Sequence, residues 1–139
     1  LAGLLASEKY GYAQENLPKP GALLLGYPIN DFYEGKLLYH FLMDFDEYHW
    51  RYYWTNISSV VTDDYPPVYH WYGKKDLMLF ALNLHEQSPK LEQSLEKHQV
   101  PHEYRVFEQP DHGAATGEGT DADGWLNDAV AFWEAQTAV

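Results

Sequence analysis

A chain of 139 residues is long enough for one domain, and its composition excludes several classes of protein. Nine Lys and Arg residues against 21 Asp and Glu residues give a formal net charge of −12, which argues against nucleic acid or a membrane surface as a partner. Hydrophobic residues make up 45% of the chain and aromatic residues 17%, so it is not intrinsically disordered. The absence of cysteine removes disulfides, thiol catalysis and Cys-ligated zinc.

The apolar opening of the chain is too short to span a membrane and lacks the basic start of a signal peptide. Leu1, Leu4 and Leu5 instead fit the inner face of a helix that we expect to end near Tyr10 and Gly11. Because the chain opens on an apolar half-helix without Met, we expect it to be part of a larger protein. With no signal peptide in view, the location we favour is cytoplasmic.

Short runs of β-forming residues predict three strands, at residues 22–27, 68–72 and 103–107. The first is a continuous apolar run between Gly and Pro signals, which is typical of a strand buried on both faces of a parallel sheet. Helical patterns follow the second and third strands. Ser88 and Pro89 predict the start of one helix, and the apolar spacing over 125–133 predicts another.

This order of elements predicts an α/β fold with a parallel sheet and helices on its faces. Three strands are few for such a sheet, so we expect its N-terminal half to lie outside this chain. Residues 29–64 differ from the rest, because they are crowded with aromatic side chains and carry an acidic run. We interpret residues 1–139 as one truncated domain and residues 29–64 as an insertion that caps a pocket. Core packing is an open alternative for its aromatic residues.

Two residues that suit catalysis follow neighbouring strands. Asp76 comes shortly after Gly73, which closes the second strand, and His112 comes shortly after Phe107, which closes the third. Functional sites of open α/β sheets form at the carboxyl ends of the strands, so the two side chains can meet there. The carboxylate would orient the imidazole, and the imidazole would take a proton from a nucleophile. Each residue alone also suits an ordinary turn.

The remaining histidines show no metal-ligand spacing, and the acidic residues around 44–47 suit a solvated helix face. We therefore predict neither a metal nor an organic cofactor. This interpretation leaves the Asp76–His112 pair as the centre of the chemistry.

Five segments resemble the C-terminal part of the α/β-hydrolases, in the esterase and lipase branch that includes carbohydrate acetyl esterases and relatives of the prolyl-peptidase catalytic domain. These segments are residues 26–28, 66–76, 93–101, 104–113 and 124–132. The resemblance implies that Asp76 is the acid of a catalytic triad and His112 its general base. It also implies that Tyr27 and Pro28 lie near the substrate, while Met78 either lines an apolar acyl site or only packs.

The resemblance also implies a nucleophilic serine before Asp76, since the family order is nucleophile, acid, histidine. The sequence contains no Gly-x-Ser-x-Gly elbow. Residues 1–6 instead resemble the helix that follows the elbow, so we expect the serine and the oxyanion donors outside this chain. The implied protein is a serine hydrolase of carboxylic esters, such as acetylated carbohydrates or other small acyl esters. The chain alone would then be inactive.

Three alternatives stay open at this point. The same residues suit a peptidase or amidase of the prolyl-peptidase-like branch. A non-catalytic hydrolase-like module could use its acidic, aromatic surface to bind a partner. The chain could also act only after docking with the missing N-terminal half, and in isolation it would then self-associate through exposed apolar strand surface.

Overall fold

A three-stranded parallel sheet forms the centre of the part of the chain that the structure describes. The computed structural model describes three stretches of the chain: residues 1–31, 56–78 and 84–138. The strands lie side by side in chain order: β1 (Leu23–Gly26), β2 (Val68–Gly73) and β3 (His102–Phe107). Leu23 pairs with Val68, which pairs in turn with His102. The predicted parallel sheet is confirmed, with strand ends within one residue of those expected.

Helices cover both faces of this sheet. The described α-helices are α1 (Ala2–Leu5), α2 (Leu84–Lys97) and α3 (Trp125–Thr137). On one face, Leu91 and Leu95 of α2 pack in a core cluster with Val68. On the other face, Trp125 of α3 packs in a cluster with Trp71. This arrangement confirms the predicted α/β class, in which helices flank a parallel sheet.

Strand β2 lies in the middle of the sheet and is buried on both faces. Val68 and His70 are fully buried, and so are Tyr69 and Trp71 between them. Successive side chains of a strand point to opposite faces, so Val68 belongs to the cluster under α2 while Tyr69 and Trp71 belong to the cluster under α3. The two helix layers therefore hold β2 in place, and with it the turn that carries Asp76.

Strand β1 is less buried than its apolar run predicts. Leu23 is buried, but Leu24 is 36% exposed. Among the residues that the structure describes, β1 pairs only with β2, so its other edge carries no strand. The expectation of a strand buried on both faces is wrong for this part of the chain, because burial there would need further neighbours.

Helix α1 is shorter than predicted, and it ends at Leu5 instead of continuing to Tyr10. The hydroxyl of Ser7 donates to the carbonyl of Leu4 at 2.7 Å and accepts the backbone N–H of Tyr10 at 3.2 Å. These local bonds compete with helix continuation. At Gly11 the chain returns so close to Leu5 that any Cβ would collide with the carbonyl of Leu5.

Helix α2 begins before the predicted Ser88–Pro89 start, at Leu84, so Pro89 lies inside the helix. The side chain of Gln87 accepts the backbone N–H groups of Asn30 and Asp31 at 2.9 and 2.8 Å. It also donates to the carbonyl of Asp31 at 2.7 Å. The first turn of α2 is therefore tied to the chain after β1, which favours a longer helix than the Pro signal alone indicates.

Residues 32–55 of the predicted insertion lie outside the described residues, so the predicted cap is not described. The end of that segment belongs to the core. A short 3₁₀ helix, Ile57–Ser59, leads into Val60 and Val61, and Ile57, Val60 and Val61 are buried in the cluster under α2. Across the described stretches, no helix is both long enough and apolar enough to cross a bilayer.

We expect Leu91→Ala to lower the free energy of unfolding by about 3 kcal/mol, since it removes a fully buried side chain and leaves a cavity. Leu126→Ala on α3 is the matched control, because Leu126 is 42% exposed, and we expect it to cost about 0.5 kcal/mol or less. Urea unfolding of both variants measures the difference. Equal losses in the two variants would contradict the assignment of Leu91 to the core.

Candidate active site

The carboxyl ends of β2 and β3 bring Asp76 and His112 together. Gly73 and Phe107, which end these strands, are register partners, so the turns that follow start side by side. Oδ2 of Asp76 lies 2.8 Å from Nδ1 of His112. Because a carboxylate only accepts hydrogen bonds, Nδ1 carries the proton and Nε2 is left as the basic nitrogen.

The surroundings of the two residues differ in a way that suits an orienting acid and a reacting base. The side chain of Asp76 is fully buried, whereas that of His112 is 34% exposed. Oδ1 of Asp76 accepts the backbone N–H of Met78 at 2.8 Å, so both carboxylate oxygens are held. Asp76 is thus fixed by its own turn, and His112 can reach a bound molecule.

Asp111, which sequence reasoning missed, connects the two turns. Its Oδ1 accepts the backbone N–H of Leu77 at 3.1 Å and that of His112 at 2.7 Å. These two hydrogen bonds, the one from Leu77 being the larger influence, hold the pKa of the Asp111 carboxyl below its usual value. An Asp directly before the candidate base was the available signal, since Asp side chains often bond nearby backbone N–H groups in turns.

The Asp111 contacts predict a pH dependence that can be measured. A carboxyl whose pKa is lower in the folded state than in the unfolded state stabilises the fold at pH values above the unfolded-state pKa. This contribution is lost as the pH falls through the folded-state pKa. We therefore expect Asp111→Asn to be less stable than the wild type at pH 7 and to approach it toward pH 3. Thermal unfolding from pH 7 to pH 3 tests this, and a difference that stays constant with pH would contradict it.

Tyr27 links the end of β1 to the His112 loop. Its ring lies edge-on to the imidazole of His112, with centroids 5.2 Å apart, and edge-on to Trp71 at 5.1 Å. Its hydroxyl accepts the backbone N–H of Ala115 at 3.2 Å. The φ of Tyr27 is 41°, in the left-handed region that bulky residues rarely adopt. The ring contact with His112 and the hydrogen bond to Ala115 hold Tyr27 against the loop.

A pocket of about 420 Å³ lies beside the Asp76–His112 pair. His112 lines it together with Tyr27 and Pro28, so three of the predicted site residues face one space. The other lining residues are mainly apolar: Leu1, Ala2, Gly3, Leu24, Leu25, Gly26, Ile29 and Ile57. None of the five serines of the chain, all within the described residues, is part of this lining.

The structure does not place Met78 in the lining of this pocket. Its backbone N–H binds Asp76, and its side chain is half-buried. The described contribution of Met78 is therefore to hold the acid. This backbone contact does not decide whether the side chain of Met78 lines an acyl site or only packs.

Comparison with solved structures places this arrangement among known folds. No family model and no curated protein sequence matches the chain. An acetyl ester-xyloside bifunctional hydrolase from Caldicellulosiruptor lactoaceticus matches with a TM-score of 0.76 and 19% identity, over 96% of this chain and 52% of that one. A sugar hydrolase from Lactococcus lactis matches with a TM-score of 0.67 and 28% identity, over 85% of this chain and 49% of that one. A carboxylesterase from Lactobacillus plantarum matches with a TM-score of 0.64 and 20% identity, over 97% of this chain and 52% of that one.

Three parallel strands with helices on both faces, aligned on these hydrolases, form a partial α/β-hydrolase fold. The solved structures that match the chain include an acetyl ester hydrolase, a carboxylesterase and another α/β-hydrolase, which confirms the resemblance seen in the sequence. The chain spans about half the length of each of these proteins.

Proposed function

We propose that this chain supplies the acid and the base of a serine hydrolase that acts on carboxylic esters. The observation that carries the proposal is the 2.8 Å hydrogen bond from His112 Nδ1 to the buried Asp76, beside a pocket that His112 lines. The serine of the triad is provided by residues outside these 139. The similarity to esterases supports the same reaction class.

In this mechanism Nε2 of His112 accepts the hydroxyl proton of the serine while the serine oxygen attacks the acyl carbon. The imidazolium then gives that proton to the departing alcohol as the ester C–O bond breaks. A water molecule repeats the sequence on the acyl-enzyme, giving the free acid and restoring the serine. The carboxylate of Asp76 faces Nδ1 and stabilises the imidazolium while it exists.

The position of the first residues supports a serine from outside the chain. Leu1, Ala2 and Gly3 line the same pocket as His112. In the α/β-hydrolase order the nucleophile stands on a turn that leads directly into a helix, and α1 begins at Ala2. A residue a short distance before Leu1 would therefore enter the pocket within reach of His112.

The pocket supports a small acyl substrate. Its volume of about 420 Å³ is at the lower end of the usual range for small-molecule sites. Leu24, Leu25 and Ile57 give it apolar walls, which suit an acyl chain or the face of a sugar ring. We assign Tyr27 and Pro28 to the substrate-contacting wall on the same evidence.

One edge of β1 pairs with no strand among the described residues, and this supports docking of the remaining part of the sheet. Leu24 of β1 is partly exposed and Leu1 is 88% exposed, so apolar surface surrounds this edge. A segment that carries the nucleophile would cover that surface and complete the pocket. Among the open alternatives for partners, we therefore propose this segment rather than a second copy of the chain.

The test uses the protein that contains this chain together with its upstream segment. We expect it to hydrolyse p-nitrophenyl acetate, to cleave the matching anilide far more slowly, and to be labelled on one serine by a fluorophosphonate. Equal turnover of ester and anilide would show an amidase or peptidase instead. No turnover and no labelling would contradict the hydrolase and leave a binding module.

A further inference from the structure

A second cluster of ionisable side chains lies near the start of β3, whereas the active-site pair follows the ends of β2 and β3. Glu92 and Glu96 lie four residues apart on α2, and His102 is the first residue of β3. One ligating atom from each of the three lies within 4.8 Å of the others. At about 3.3 Å per residue, the six residues of β3 span roughly 20 Å between this cluster and the loop that carries His112.

The contacts of His102 leave one ring nitrogen facing a carboxylate oxygen, an arrangement that suits a bound cation. Nδ1 of His102 lies 2.7 Å from the carbonyl oxygen of Val100, which can only accept, so Nδ1 carries a proton. Nε2 lies 3.1 Å from Oε1 of Glu92, which as a carboxylate oxygen also only accepts. A neutral His102 would therefore point a lone pair at a carboxylate. A metal ion bound by both atoms would relieve that contact.

A buried histidine fixes the orientation of Glu92. The side chain of His70 is fully buried, and its Nε2 donates to Oε2 of Glu92 at 3.2 Å. Its ring stacks on Tyr104, with centroids 4.7 Å apart. Outer contacts of this kind, together with the Val100 carbonyl on His102, orient metal ligands in proteins.

The charges of the cluster favour a divalent ion over a proton. Glu96 is exposed and places a second carboxylate four residues from Glu92, a spacing at which like charges on a helix repel. A protonated His102 would leave the three side chains with a net charge of −1, whereas a divalent ion bound by a neutral His102 brings the sum to zero. Imidazole with carboxylate oxygens is a donor set that Zn²⁺ accepts.

We propose that Glu92, Glu96 and His102 bind a divalent transition metal ion such as Zn²⁺, with water completing its coordination. The ion ties the last turns of α2 to the start of β3. Its effect is on stability, because the cluster is remote from Asp76 and His112. The proposal does not depend on the hydrolase activity.

Zinc titration of the purified protein without a polyhistidine tag tests this inference. Isothermal titration calorimetry is expected to show one saturable site in the wild type, and Glu96→Gln to weaken its Kd at least about tenfold. Glu134→Gln, the same substitution at an exposed position of α3, is the matched control and should bind as the wild type does. One equivalent of Zn²⁺ should raise the unfolding temperature of the wild type and of Glu134→Gln, but not of Glu96→Gln.

Two results would overturn the proposal. One is the absence of a saturable site in the wild type. The other is unchanged affinity in Glu96→Gln. Nitrogen-15 NMR of the imidazole gives a readout that needs no variant, since Zn²⁺ should shift Nε2 of His102 and leave the hydrogen-bonded Nδ1 nearly unmoved.

Discussion

His112→Ala is expected to lower kcat for p-nitrophenyl acetate by about 10⁵-fold in the protein that contains this chain and its upstream segment. The substitution removes Nε2, the group proposed to take the serine proton, and triad histidines carry effects of this size. The fold should survive, because the side chain of His112 is partly exposed. Stopped-flow or overnight initial-rate assays cover the range, and circular dichroism checks folding.

The matched control for this prediction is His85→Ala. The side chain of His85 is about half exposed, and its Nε2 lies 4.0 Å from Oε1 of Glu86. It does not line the pocket. We expect the rate of His85→Ala to stay within about twofold of the wild type, as is usual for surface substitutions. A His112→Ala variant that keeps more than a hundredth of the wild-type kcat would contradict the assignment of the base.

Asp76→Asn is expected to lower kcat by about 10⁴-fold, which corresponds to about 5.4 kcal/mol of transition-state stabilisation. An amide can keep the hydrogen bond from Met78, so the turn should hold. Its NH₂ group would face Nδ1 of His112, which then becomes the acceptor, and the proton moves to Nε2. The base nitrogen is blocked by this change of tautomer, and the stabilising charge beside the imidazolium is lost as well.

Asp123→Asn gives the matched control, because Asp123 is exposed in the loop before α3 and outside the pocket. We expect it to react at the wild-type rate. Two-dimensional NMR of the His112 ring separates the tautomers directly, and the variant should show the proton on Nε2. An Asp76→Asn variant with wild-type kcat would show that Asp76 is only a turn residue.

The pairing of Asp76 with His112 was predictable because it depends on the strands rather than on the loops. Once the runs over 68–72 and 103–107 are recognised as parallel strands, residues shortly after both lie at one edge of the sheet. The division of the β2 side chains between the two core clusters follows from the same pattern. These features are local in sequence and repeat with the period of a strand.

Features that depend on distant contacts were not predictable. The Pro signal misplaced the start of α2, since the contacts of Gln87 with Asn30 and Asp31 come from a segment 56 or 57 residues away. The hydrogen bond between the Tyr27 hydroxyl and Ala115 spans 88 residues. A pattern read along the chain does not show which side chains will form hydrogen bonds with distant loops.

The cluster of Glu92, Glu96 and His102 also depends on a distant contact and was not predictable from the sequence. Glu92 and Glu96 have helical spacing, but His102 follows a turn and lies on a strand, so the three residues do not form a motif in the sequence. The fold brings one ligating atom of each residue within 4.8 Å of the others, because the last turns of α2 lie beside the start of β3. The expectation that the histidines hold no metal rested on sequence spacing alone, and the zinc titration tests it.

The central claim is that Asp76 and His112 act on a serine that precedes Leu1, and reading the coding sequence immediately upstream of Leu1 tests it most directly. The account predicts a Gly-x-Ser-x-Gly elbow within about a dozen codons, since the elbow leads straight into the following helix. A start codon directly before Leu1, or an elbow without serine, would contradict the account.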